Sequence, residues 1–215
     1  MKLYVYDHCP YCIRARMIFG LKKLPVDLVF VHNDDADTPI RLIGKKAVPI
    51  LETEDGKIMP ESLDIVRYID ALVTPKLLID DIRPEVTQWI EKIRSYSNNL
   101  LYPRFVKLDL PEYETESARN YFIEKKSEVA GNFDELYEKS AEYLAMLHQD
   151  LAELEGLLVS DEAFSGTLSY EDIVLFPILR NFTCIEGIEF PAKIARYIGN
   201  MAVLSRISLY YSKAC

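Results

Sequence analysis

Lys2-Leu3-Tyr4-Val5-Tyr6-Asp7-His8-Cys9-Pro10-Tyr11-Cys12 opens the chain and decides its fold. Lys2 to Tyr6 reads as a short strand, and Ile13 to Lys23 reads as an amphipathic helix. Between them stands a Cys-x-x-Cys at the start of the helix, which is the setting of a redox motif. Cysteines three positions apart on a helix are near neighbours and can close a small disulfide ring. A helix N-terminus also presents unpaired N–H groups and a partial positive charge, and both favour a thiolate. Pro10 lacks an N–H and has a fixed φ, so it suits the first helical position.

Working outward, residues 1–72 alternate strands and helices. Val26 to Val31 is an apolar, β-branched run that reads as a second strand. Thr38-Pro39 reads as an N-cap followed by a first-turn proline, and Gly44 as a helix stop. Val48-Pro49-Ile50-Leu51 reads as a third strand. Glu54-Asp55-Gly56 is a hairpin turn, returning through Lys57-Ile58-Met59 as a fourth strand. A helix is expected from Ser62 to Leu72. Residues 73–84 hold linker cues: Thr74-Pro75, Asp80-Asp81 and Arg83-Pro84. From residue 85 to 215 the pattern becomes helical. Trp89, Ile93, Tyr96 and Leu100 recur at helical spacing, as do Leu144, Leu147, Leu151, Leu154 and Leu158. Gly131-Asn132 separates two helical segments, and five or six helices are expected in all.

Composition narrows the function. The 215 residues carry a net charge of -9, with dispersed basic residues, which disfavours nucleic-acid binding. No apolar run approaches the ~20 residues of a membrane span, and the first residues form no signal-peptide core. A cytoplasmic location is expected. The four cysteines lack the second close Cys/His pair of a structural zinc site, so no metal is expected.

Cys9-Pro10-Tyr11-Cys12, a later Val48-Pro49, Glu61-Ser62 opening a helix, and Ser169-Tyr170-Glu171-Asp172 in the helical part together resemble the glutaredoxins. The resemblance is strongest to larger bacterial members that share the two-domain fold of glutathione S-transferases. It covers essentially the whole chain. It implies an α/β thioredoxin-like N-terminal domain followed by an all-α, glutathione S-transferase-like C-terminal domain. It also implies glutathione as co-substrate, with no tightly bound cofactor. The expected partners are glutathione, disulfide-bonded or glutathionylated proteins, and glutathione reductase acting indirectly through oxidised glutathione. A monomer is expected.

Cys9 should lie at the helix cap with its sulfur towards solvent, and Cys12 one turn in and more buried. That asymmetry makes Cys9 the attacking thiol and Cys12 the resolving one. The resemblance implies a cis peptide between Val48 and Pro49, which would turn the Val48 backbone groups towards glutathione. Ser62 can offer its hydroxyl and N–H to the γ-glutamyl carboxylate at a helix N-terminus, or serve as a plain cap. Glu61, and with less support Asp64, would orient that end. Pro10 and Tyr11 complete the glutathione site, although Tyr11 also reads as an exposed spacer. Arg14 and Arg16 read first as a solvated helix face, and His8 first as an exposed loop residue beside the nucleophile. Ser169 and Asp172 form a capping pair, with Leu168 and Ile173 at the spacing of a hydrophobic staple. Pro177 should kink that helix. Cys184 reads as a buried structural thiol, and terminal Cys215 as mobile.

The expected activity is glutathione-dependent thiol–disulfide exchange. Two other readings stay open on sequence. One is a glutathione transferase or dehydroascorbate reductase on the same fold. The other is a noncatalytic binding module, which has little need for an intact dithiol at a helix cap.

Overall fold

The computed structural model describes residues 1–215. β1 (Lys2–Val5), α1 (Pro10–Leu21) and β2 (Asp27–Phe30) form the opening unit, with β1 and β2 parallel. After α2 (Asp37–Ile43), β3 (Ile50–Glu52) and β4 (Ile58–Pro60) make the antiparallel hairpin, and α3 is Ser62–Leu72. The sheet order is β2-β1-β3-β4, with Leu3 opposite both Leu28 and Leu51. This is the α/β layer expected from the sequence.

The remainder is all-α: α4 (Pro84–Arg94), α5 (Ser97–Phe105), α6 (Glu116–Ala130), α7 (Phe133–Glu138), α8 (Ser140–Leu157), α9 (Tyr170–Phe182) and α10 (Ala192–Ser205). That makes seven α-helices where five or six were expected. One extra comes from the Trp89–Leu100 periodicity, which is not one helix but two, broken at Ser95-Tyr96. Asn132 caps α7, its side chain accepting from the N–H groups of Asp134 and Glu135. The start of α2 also differs: Asp35, not Thr38, is the capping side chain, accepting from the Thr38 N–H at 2.9 Å. Gly44 ends α2 at φ 74°, a conformation glycine adopts without Cβ strain.

One apolar core runs through both regions. α1 packs on α3 on one side and on α9 and α10 on the other. Gly20 makes the last contact possible, because a Cβ there would meet the Ser205 carbonyl oxygen at 1.8 Å. The linker is held at both ends. Lys22 donates to the carbonyls of Asp70, Val73 and Pro75, closing the end of α3. Arg83 forms a two-pronged pair with Glu171, which is fully buried near the start of α9. The capping pair is present: the Ser169 N–H donates to Asp172 Oδ2 at 2.9 Å, and Ser169 Oγ accepts from the Glu171 N–H. α9 continues through Pro177 to Phe182. No helix is long and apolar enough to cross a membrane.

Candidate active site around the Cys9–Cys12 dithiol

The local sequence places the two thiols differently. Cys9 is the N-cap residue of α1, with extended backbone, and Pro10 follows in the first turn. Cys9 is half-buried, while Cys12 is wholly enclosed, its sulfur accepting from the Tyr6 N–H at 3.4 Å. Their acidities separate accordingly. Hydrogen bonding by the Cys12 thiol contributes most to lowering Cys9, burial opposes it, and the charge of His8 and the N–H groups of Cys12 and Tyr11 assist. The balance brings Cys9 down to about 6. Burial pushes Cys12 well above the usual thiol range, and the neighbouring Cys9 adds to that rise.

His8 is the main departure from the sequence reading. It is buried rather than loop-exposed, because a short turn of the helical region, Pro111–Tyr113, folds over it. Its backbone N–H and its Nδ1 both donate to Glu112 Oε1, at 2.9 and 2.5 Å. A carboxylate only accepts, so that contact fixes the Nδ1 proton. Burial alone would raise the Glu112 carboxyl, but its hydrogen bonds and charge contact with His8 keep it below its ordinary value. Its second oxygen is buried without a partner. Asn181 adds a hydrogen bond to the His8 carbonyl at 2.8 Å.

Asp7 is clamped in the same manner. Arg180, on α9, donates to its carboxylate at 2.8 Å and to its carbonyl at 2.7 Å. Tyr210 and Arg16 donate to the same carboxylate. Burial would raise this acid, yet the two arginines outweigh burial and hold it well below the carboxylate range. Arg16 therefore closes an ion pair rather than facing solvent. Arg14 likewise departs from the solvated-face reading, because the helical region covers it. Apart from Arg16, these partners are not visible from sequence spacing, since they lie about a hundred positions or more from the loop.

Two cavities meet beside the dithiol. The smaller, about 290 Å³, is lined by Tyr11, Val48, Pro49, Pro60, Glu61 and Ser62, together with Ile43, Lys45 and Ala47. The larger, about 610 Å³, is walled by Cys9, Pro10 and Tyr11 on one side and by α4, α5 and α6 on the other. Tyr11, Ala47 and Val48 belong to both. The Val48–Pro49 peptide is cis, and neither backbone polar group of Val48 takes a backbone hydrogen bond. Ser62 is buried in the first turn of α3, behind Glu61 at φ 70°, an uncommon conformation for a residue with a Cβ. The Glu61 carboxylate pairs with Lys45 at 3.0 Å, and Asp64 pairs outward with Arg67. So the structure brings together Cys9, Pro10, Tyr11, Val48, Pro49, Glu61 and Ser62, while Asp64 turns away.

The two remaining cysteines lie elsewhere. Cys184 is fully buried, and burial raises it to about 12. Cys215 is not loose, as terminal position suggested. Its N–H donates to the Cys184 carbonyl at 3.0 Å, and its own carbonyl accepts from Arg104 Nε at 2.8 Å.

Comparison with known proteins follows the same division. Residues 85–214 match the family model of the glutaredoxin 2 C-terminal domain, and residues 3–76 match the glutathione S-transferase N-terminal domain. The chain is 48% identical to glutaredoxin 2 of Escherichia coli strain K12 over the full length of both proteins. The chain belongs to the glutaredoxin 2 family. Membership makes it a glutathione-dependent thiol oxidoreductase, and neither the transferase nor the noncatalytic reading is favoured. Among solved structures it is similar to glutaredoxin 2 from Salmonella typhimurium, crystallised in complex with glutathione. The TM-score is 0.97 at 47% identity, covering all of this chain and 98% of that one. Glutathione transferase Omega 3C from Trametes versicolor shares the fold, with TM-score 0.57 at 21% identity, covering 97% of this chain and 84% of that one.

Proposed function

We propose that Cys9 is the nucleophile of this oxidoreductase, that Cys12 resolves its mixed disulfides, and that glutathione lies along Tyr11, Val48, Pro49, Glu61 and Ser62. The observation that carries this reading is the half-buried Cys9 at the cap of α1, brought down to about 6 beside a thiol held protonated. The glutathione complex of the Salmonella relative supports glutathione as the ligand. The γ-glutamyl carboxylate takes the unpaired N–H groups and hydroxyl at the start of α3. The cysteinyl backbone pairs with Val48 in the manner of an added strand.

In deglutathionylation, the Cys9 thiolate attacks the glutathione sulfur and the substrate thiolate leaves. A second glutathione thiolate then attacks the glutathione sulfur held on Cys9, releasing oxidised glutathione and the Cys9 thiolate. With a protein disulfide, Cys9 instead forms a protein mixed disulfide. Cys9 loses its charge on forming that bond, which removes one of the causes raising Cys12. Cys12 can then shed its proton and attack Cys9. The resulting disulfide is reduced by two glutathione molecules.

The low pKa of Cys9 serves departure more than attack. Relative to a free thiol near 8.5, a value of about 6 raises the thiolate fraction at pH 7 roughly 30-fold. A Brønsted slope of ~0.45 lowers its nucleophilicity about 13-fold, leaving roughly a twofold gain. A low-pKa thiol is, however, the better leaving group when glutathione attacks.

NADPH consumption with glutathione, glutathione reductase and a glutathionylated peptide tests the assignment. Turnover should vanish in Cys9→Ser. Cys12→Ser should keep deglutathionylation and lose most protein-disulfide reduction. Turnover by Cys9→Ser, or loss of both activities in Cys12→Ser, would contradict these roles. The same reading has the chain act as a monomer in the cytoplasm, with glutathione reductase as its indirect partner.

A further inference from the structure

The larger cavity has a charge imbalance that thiol exchange does not use. Arg14, Lys46, Arg94, Lys125 and Lys126 line it, with no aspartate or glutamate, in a chain whose net charge is -9. Lys46 donates to the Asn33 carbonyl and Lys125 pairs with Glu128, while Lys126 and Arg14 each lie over an aromatic ring. Arg14 and Arg94 have no hydrogen bond and no ion pair, although Arg14 is only 8% exposed.

Arg14 sits 4.6 Å over the Tyr11 ring, with its Nε enclosed and without an acceptor. Its terminal nitrogens open on to the cavity. The Cys9 thiolate is the nearby opposite charge, and it is lost once Cys9 is joined in a mixed disulfide, so the buried cation then calls for an anion from the bound substrate. Burial lowers the Arg14 pKa, Tyr11 and Cys9 oppose that fall, and the like charge of Arg94 adds to it. Ile90, Ile93, Leu101 and Phe105 supply an apolar wall beside the two guanidinium groups.

We propose that Arg14 and Arg94 are specificity-determining residues, and that the cavity receives a glutathionylated polypeptide segment with an acidic and an apolar residue beside its cysteine. The inference rests on Cys9 being the attacking thiol. Glutathione's own carboxylates have nearer partners, the start of α3 and Lys45, both in the smaller cavity. The other half of the mixed disulfide must extend from Cys9 into the larger cavity, whose volume suits a short segment. Bidentate arginine–carboxylate pairing, partly desolvated, supplies the selection.

The test compares two glutathionylated hexapeptides of equal apolar content, one with glutamates beside the cysteine and one with lysines. The ratio of their kcat/KM values is read within each enzyme. Wild type should favour the acidic peptide about tenfold, the size of one good charge pair. The preference should shrink in high salt and reverse in Arg94→Glu, a change at an exposed position that avoids the folding risk of Arg14→Gln. Equal turnover of both peptides by wild type would overturn this inference and leave the Cys9 assignment standing. An unchanged ratio in Arg94→Glu would do the same. Turnover of neither peptide would overturn the Cys9 assignment and the inference with it.

Discussion

The α/β region and the helical region contribute different things to one site. The first carries both thiols, the cis Val48–Pro49 peptide and the start of α3. The second contributes no thiol to the site, yet it grips the loop before Cys9 through Glu112, Arg180, Asn181 and Tyr210. The comparison teaches that the groups lowering Cys9 lie beside it in the first region, while the hold on their loop comes from the second. The helical region thus fixes the loop that carries Cys9, and is not only a cover for the sheet.

The joint between the regions breaks most severely at Asp7. Asp7→Asn leaves Arg180, 1% exposed, without its ionised partner. Removing one member of a buried pair costs about 3–5 kcal/mol. Urea denaturation should show a loss of that order, and a loss below about 1 kcal/mol would mean the clamp contributes little. The sign with pH is definite. The folded Asp7 carboxyl is depressed, so its contribution is full above the unfolded carboxylate value and fades only as pH falls through the folded one. Wild type and Asp7→Asn should therefore converge in stability only in strong acid.

A smaller change sharpens the comparison from the other side. Ser169→Ala removes a cap within the helical region, far from the dithiol. It should lower stability by about 1 kcal/mol and leave the titration of Cys9 unmoved. A displaced titration in that variant would show that any weakening of the helical region reaches the thiol, and the specific role of the loop clamp would fall.

Much of this was legible in the sequence because it is local. The dithiol, its helix cap, the Val-Pro strand start and the Ser62 helix each occupy a few adjacent residues, and α3 begins and ends at Ser62 and Leu72 as read. The Ser169–Asp172 box was equally short-range. What escaped depends on residues that meet only after folding. His8 and Arg14 look exposed until the turn at Pro111–Tyr113 and helices α4 to α6 cover them. Periodicity also hid the break at Ser95-Tyr96, because the second helix keeps the phase of the first. The one available signal was an imbalance: basic residues close to the dithiol in an acidic chain.

The central claim is that the Cys12 thiol, buried one turn into α1, does most to set the acidity of Cys9. Ultraviolet titration of the Cys9 thiolate in wild type and in Cys12→Ala tests it most directly. Wild type should titrate at about 6. Cys12→Ala, which removes that hydrogen-bond donor, should move the midpoint up. A common midpoint in both proteins, or a wild-type value near the ~8.5 of a free thiol, would contradict the account.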